Sequence, residues 1–265
     1  MTNSNASMKS SLPPVSYWER FRNYVRDNGF WLAVNIAAAI PLVWLAWDFQ
    51  QGNLSFNPID DITDRTGKAA IILLLLSLAM TPANIVFGWR KGITVRKALG
   101  MFAFVYASFH LLNFVGYDYG FDLQLIWQDG IATKPFIVAG LIAFLIMVPL
   151  AITSTRASMR RLGKKWKTLH RIVYVAGIVA VIHFLWLAKA AEDWEPLLYG
   201  AILALLLLVR VPPVRSRIIE TRRRLLAPQT AAGSKAPPAK RGGEGARPAG
   251  STAVTTGTQQ TSSER

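Results

Sequence analysis

His110, His170 and His183 are the only histidines in 265 residues. All three stand in apolar runs, "FVYASFHLLNF" and "KTLHRIVYVAGIVAVIHFLW". An imidazole can ligate a metal, carry a proton or hydrogen-bond to a neighbour. Buried in hydrocarbon it is costly unless one of those roles satisfies its ring nitrogens. Their placement therefore points to chemistry, and the surrounding elements decide which.

The composition is that of a membrane protein. Hydrophobic residues make up 52% of the chain, mean hydropathy is +0.28, and there are nine Trp. Six apolar segments lie at roughly 30–48, 68–88, 98–117, 135–153, 168–188 and 196–211. Most approach the ~20 residues that a helix needs to cross a bilayer. "IILLLLSLAM" and "AILALLLLV" are apolar all round, unlike a helix packed on a soluble core. Their length and lack of alternation exclude strands. Pro41 and Pro149 fall inside two spans, which membrane helices tolerate when neighbours satisfy the freed carbonyls. The expected fold is all-α, a polytopic bundle of six transmembrane helices.

Charge gives the orientation. The chain carries 30 Lys and Arg against 15 Asp and Glu, a net charge of +15. Lys9, Arg20, Arg22 and Arg26 precede the first span. Arg90, Lys91, Arg96 and Lys97 fall in one inner loop, and Arg156, Arg160, Arg161, Lys164, Lys165 and Lys167 in another. The region from Arg210 onward is basic as well, whereas acidic residues concentrate in the alternate loops. This is the positive-inside pattern with both termini cytoplasmic. The basic excess is then topological, it suits anionic membrane lipid, and nucleic acid is not an expected partner. Residues 1–29 lack the apolar stretch of a signal peptide, so the first span is expected to remain as an anchor. The chain divides into a cytoplasmic segment (1–29), a transmembrane domain (30–211), a basic extension (212–227) and a disordered tail (228–265). The tail composition, rich in Gly, Pro, Ala, Ser and Thr, cannot bury a core. No internal repeat is visible residue by residue.

Counting along the spans places the histidines by depth. His110 lies thirteen residues above Lys97, or ~20 Å, and His183 sixteen above Lys167, or ~24 Å. Both therefore sit at one level in the outer half, on helices of the same direction. His170 lies ~5 Å above the inner boundary. Two imidazoles facing each other at one depth can supply both axial ligands of a b-type haem. They can equally each hydrogen-bond to a neighbouring helix, and spacing alone leaves both readings open. For His170 the bland reading is an interfacial contact. His170 and His183 are also ~140° apart around an ideal helix. Either the helix is irregular between them, with Gly177 the obvious place, or they address different partners. The absence of cysteine excludes disulfides, cysteine-ligated iron–sulfur clusters and c-type haem attachment.

Four stretches carry a resemblance: "NPIDDITDRTGKAAIILLLLSLAMTP", "RKALGMFAFVYASFHLLNF", "KPFIVAGLIAFLIMVPLAITS" and "RRLGKKWKTLHRIVYVAGIVAVIHFLW". Together they resemble the haem-binding membrane subunits of bacterial methionine-sulfoxide reductase systems, the MsrQ (YedZ) family of the ferric-reductase-like transmembrane superfamily. The resemblance covers about residues 30 to 190 with all three histidines in matching motifs. It implies an inner-membrane electron carrier holding haem b, and FMN on the strength of the family alone. Such a carrier takes electrons from quinol or a cytosolic flavin reductase. It passes them to a periplasmic molybdenum-containing methionine-sulfoxide reductase, MsrP-like, on which the catalytic chemistry resides. His110 and His183 would be the axial iron ligands. Larger relatives carry two histidines on each of two helices, but here Arg96 stands fourteen residues before His110. That departure leaves His170 either to a second haem with an unusual partner or to flavin or quinone.

Other residues carry less. Asn113 reads chiefly as a helix–helix hydrogen bond, Trp127, Trp186 and Trp194 as interfacial anchors, and Arg171 as a snorkelling cation. No dinucleotide or P-loop motif and no nucleophile–base pair occurs. The competing readings are a free-standing membrane ferric reductase and a proton-coupled transporter, the latter disfavoured by the lack of carboxylates within the spans. Reporter fusions after Gly52, Gly92, Gly120 and Gly163 should read outside, inside, outside and inside. Any other alternation overturns the orientation and the depth argument with it.

Overall fold

The computed structural model describes residues 16–187 and 194–226, which form helices and turns with no strand among them. Helix α1 spans Tyr17–Gln51. Ser16 starts it with a capping box: its side chain accepts from Glu19 N–H, and the Glu19 carboxylate takes the Ser16 N–H, each at 3.2 Å. Gly52, at φ 69°, closes it in the left-handed region. Within the polar segment expected up to residue 29, residues 17–29 form the first third of this one long helix. Gly29 does not interrupt it, since one interior glycine costs only about 1 kcal/mol.

Helix α2 spans Pro58–Phe87 and α3 Arg90–Asn113, which runs on through a π-helical turn at Phe114–Asp118. The connection expected as an outer loop is ordered instead, with α4 at Leu123–Leu125 and a second π-helical turn at Ile126–Ile131. Helix α5 spans Pro135–Ile152, α6 Arg156–Leu162 and α7 Lys164–Leu169. A 3₁₀ turn at His170–Ile172 leads into α8, Val173–Leu187. Helix α9 covers Glu195–Leu208 and α10 Pro212–Leu226.

Five of these runs are long and apolar enough to cross a membrane, and α9 with α10 makes a sixth, bent by 75°. Pro212 and Pro213 explain the bend, because a proline pushes the preceding residue out of the helical region. The chain is a multi-pass membrane protein. The tail expected to be disordered lies outside the described residues.

Helix α2 is the most enclosed, with half of its apolar window buried. It packs chiefly on α3, while α5 packs chiefly on α8; α1 leans on α3, and α9 on α8 and α2. Leu73, Leu74, Val95, Leu99, Ala103 and Tyr106 form the heart of the core. A second cluster joins Ile71, Leu75 and Leu78 to Val181 and Leu203. The outward side chains of α1, among them Ile40, Val43, Trp44 and Trp47, remain exposed and need lipid to cover them. Ion pairs tie the helices at one end, Arg65 to Asp48 at 2.7 Å and Lys68 to Glu195 at 3.1 Å.

Two inserted side chains repair helix ladders next to prolines. Tyr106, 1% exposed, accepts from Leu42 N–H at 2.8 Å and donates to the Ala38 carbonyl at 2.9 Å, beside Pro41. Pro82 has no N–H for the Leu78 carbonyl four residues earlier, and Arg210 donates to that oxygen at 2.5 Å. Arg210, expected as the first cation of the basic tail, therefore folds back into the bundle, its guanidinium also over the Tyr174 ring at 4.7 Å.

Removing the Tyr106 hydroxyl takes away the group that bridges the Ala38 carbonyl and the Leu42 amide and ties α1 to α3. Tyr106→Phe should destabilise the bundle by roughly 1–3 kcal/mol. Thermal unfolding in a lipid nanodisc checks this, with exposed Tyr117→Phe expected to leave the transition in place.

Candidate functional site

His110 projects from α3 and His183 from α8, and the two rings meet. Their centroids lie 6.1 Å apart with the planes at 82°. Each ring also reaches the helix its own packs against. His110 Nδ1 lies 3.0 Å from the Thr63 carbonyl on α2, and His183 Nδ1 lies 2.6 Å from the Phe136 carbonyl on α5. A carbonyl only accepts, so each ring carries its proton on Nδ1 and keeps the Nε2 lone pair for a ligand. That is the tautomer a metal-binding imidazole needs, with the carbonyl fixing its orientation.

Glycine makes the approach feasible. A Cβ at Gly67 would lie 3.1 Å from His110 Cε1 and Nδ1, and one at Gly140 would lie 2.9 Å from the same atoms of His183. Each glycine stands four residues after the accepting carbonyl, one helical turn along. One offset of 73 residues relates Thr63 to Phe136, Gly67 to Gly140 and His110 to His183. The site is thus built twice, once on the α2–α3 pair and once on α5–α8.

The rings line a cavity of about 750 Å³ with Gly67, Leu74, Gly140 and Phe144 among its mainly apolar walls. A cavity of similar size, about 740 Å³, lies between α1 and α2 but has no histidine in its lining. Imidazoles on opposite sides of one metal ion stand roughly 6–6.5 Å apart by centroids, given metal–nitrogen bonds of about 2 Å. The observed spacing matches. Among the described residues no group of three or more His, Asp or Glu could hold a bare ion. A metal held by these two imidazoles alone would need its remaining ligands from a non-protein group.

Residues 66–181 match the family described as ferric reductase like transmembrane component. Curated relatives agree over a longer stretch. A protein of Rhodospirillum rubrum named protein-methionine-sulfoxide reductase heme-binding subunit MsrQ is 45% identical over 194 residues, 72% of this chain and 92% of its own. Proteins of the same name from Xanthomonas campestris pv. campestris and Caulobacter vibrioides are 42% and 40% identical. The first match covers 78% of this chain and 92% of the relative, the second 71% and 89%. The chain belongs to the MsrQ family.

The third histidine stands apart from this centre. His170 opens the 3₁₀ turn, stacks on Trp166 at 4.0 Å between centroids, and places Nε2 3.1 Å from Thr153 Oγ1. Thr153 gives its own proton to the Pro149 carbonyl at 2.6 Å, so His170 donates to it from Nε2. Of the two alternatives for His170 and His183, the structure gives them different partners, and the helix irregularity between them is the 3₁₀ turn at residues 170–172. Gly177 itself packs against Leu78 and Leu203 inside a regular helix.

Asn113 takes its helix–helix role, its Nδ2 donating to the Ile59 carbonyl at 3.1 Å and to Thr63 Oγ1 at 2.5 Å. That bond steadies the very residue whose carbonyl holds His110. Trp127, Trp186 and Trp194 are exposed. Outside the spans, the Lys134 ammonium, with help from the Tyr119 hydroxyl, holds the Asp129 carboxyl below the usual carboxylate range. Thr63, Gly67, Phe136 and Gly140 escaped sequence reasoning. The one available signal was a glycine set inside each of two apolar spans.

Proposed function

We propose that this chain is a membrane electron-transfer subunit that carries haem b between His110 and His183. It lies in the bacterial inner membrane and passes electrons to a periplasmic methionine-sulfoxide reductase of the molybdenum-containing, MsrP-like kind. The observation that carries the reading is the facing imidazole pair, both rings tethered through Nδ1 to a backbone carbonyl. The names of its relatives, haem-binding subunits of a methionine-sulfoxide reductase, support it.

The residues present fit the group. The neutral imidazoles of His110 and His183 would supply nitrogen ligands to a haem iron, and the mainly apolar cavity walls would receive its macrocycle. Bound haem supplies a one-electron couple at iron. The chain binds and orients it, keeps water from most of its surface, and sets the basicity of its ligands through the two carbonyls. FMN is proposed on family grounds, with no residue assigned to it.

Electrons enter from quinol or a cytosolic flavin reductase. The entry side is the basic α6–α7 bracket, with Arg160, Arg161, Lys164 and Lys165 beside the stacked Trp166 and His170. His170 is proposed as a contact on this side, to flavin, quinone or a second haem. The ferric-reductase family match keeps a second reading in view, a free-standing reductase without a dedicated partner. Mixing prereduced protein with a purified periplasmic reductase separates the two: reoxidation of the haem by that partner excludes the free-standing reading.

His110→Ala and His183→Ala should each abolish the six-coordinate low-spin spectrum in folded, membrane-inserted protein, while His170→Ala leaves it largely intact. A normal spectrum from either of the first two variants rules out the ligand pair. A protein that shows no reduced b-type band at all belongs to the transporter reading. Charge reversal at Lys164 and Lys165 should slow haem reduction by a cytosolic donor without changing transfer from prereduced haem to the periplasmic reductase. Stopped-flow kinetics showing the opposite pattern reverse the proposed direction.

A further inference from the structure

We infer that Gly67 and Gly140 are positioning residues that hold the two axial imidazoles in nearly crossed planes. The inference rests on the reading that His110 and His183 bind haem. Three features of the structure support it.

The first is space. Ordinary contacts between carbon atoms are about 3.5–4.0 Å. A methyl at Gly140 would stand 2.9 Å from His183 Cε1 and Nδ1 and 3.3 Å from Nε2, and one at Gly67 would stand 3.1 Å from His110 Cε1 and Nδ1. Neither ring keeps its present position against an alanine.

The second is the tether. Each ring is bonded through Nδ1 to a carbonyl four residues before its glycine, at Thr63 and at Phe136. A ring pushed by a new methyl must give by a few tenths of an ångström, and translation away from the methyl lengthens that bond. Rotation about the direction of the bond keeps it, and rotation changes the ring plane.

The third is duplication. The carbonyl, the glycine and the histidine recur at one offset on two helix pairs, and the resulting planes cross at 82°. Each ring takes its plane from its own helix pair, so the crossing angle is set by how the α2–α3 and α5–α8 pairs are arranged. It is not set by contact between the rings. Crossed planes leave two iron d orbitals nearly degenerate. Ferric haem then gives one dominant, large-g resonance in place of the three-line rhombic spectrum of parallel ligands. Donation from crossed imidazoles also stabilises the ferric state less well, which raises the midpoint potential.

Electron paramagnetic resonance and redox titration of the haem-loaded protein in nanodiscs test this. The parent protein should show the large-g signal. Gly67→Ala and Gly140→Ala should each move it toward the rhombic form and lower the midpoint potential. Gly177→Ala, on the same helix as His183 but facing Leu78 and Leu203, should change neither. Where a glycine variant loses haem, His110→Ala with added free imidazole supplies an untethered ligand. In that background Gly67→Ala should bind haem as well as its Gly67 parent. A rhombic parent spectrum, alanine variants with unchanged signal and potential, or haem loss that free imidazole does not restore would each overturn the inference. Failure of the haem reading itself looks different, because the parent then shows no b-type band or the histidine variants keep its spectrum.

Discussion

A polar atom inside a bilayer must find its partner within the protein, and this constraint shapes the site. Each imidazole has two nitrogens to satisfy in an apolar setting. The protein answers one with a backbone carbonyl that its helix already uses, since a carbonyl has two lone pairs and can accept twice. Thr63 and Phe136 serve in this way for His110 and His183. The other nitrogen is then left as a lone pair facing a cavity, which favours a ligand. Because the anchoring acceptors are backbone atoms, ring positions follow from how α2 meets α3 and α5 meets α8. The closest-packed helix pairs in the bundle are also the ones that present the two imidazoles.

The same constraint accounts for features far from the histidines. Pro41 and Pro82 interrupt helices that cannot turn to water for compensation. Tyr106 reaches from α3 to the Ala38 carbonyl and the Leu42 amide, binding α1 to the core although α1 buries little of its own surface. Arg210 reaches the Leu78 carbonyl and the Tyr174 hydroxyl, so α2, α8 and the end of α9 share one cation. Side chains from other helices thus enter the helix ladder beside Pro41 and fill the vacancy left by Pro82. Helices with few polar residues obtain specific contacts in this way, where apolar packing alone would leave register loose.

Much of this was legible in the sequence. Apolar length gave the spans, and counting from the basic ends put His110 and His183 at one level, where the structure brings them together. The start of α1 was missed because its first turns are polar, and a hydropathy pattern does not register a helix that is only partly apolar. Arg210 was missed because its partner is the Leu78 carbonyl, whose orphaning depends on Pro82 and on a long-range approach. The duplicated half-site was invisible for a related reason. Of its three members the carbonyl has no residue identity, being Thr63 in one copy and Phe136 in the other. Only a glycine and a histidine repeat, too little to stand out against unrelated flanking residues.

The three histidines finally divide by which nitrogen holds the proton. Carbonyl acceptors fix it on Nδ1 in His110 and His183, whereas the Thr153 hydroxyl, already donating to Pro149, fixes it on Nε2 in His170. The indole of Trp166 donates to the Thr153 carbonyl at 3.0 Å, so ring, indole and threonine brace one another at the turn between α7 and α8. His170 is therefore held by side-chain contacts within the α5–α8 half of the bundle. The pair is held by backbone on two halves that must meet. A shift of α2–α3 against α5–α8 would change the distance between His110 and His183 while leaving the His170 bracket intact. The His110–His183 pair thus depends on the assembled bundle, and the His170 bracket only on one side of it.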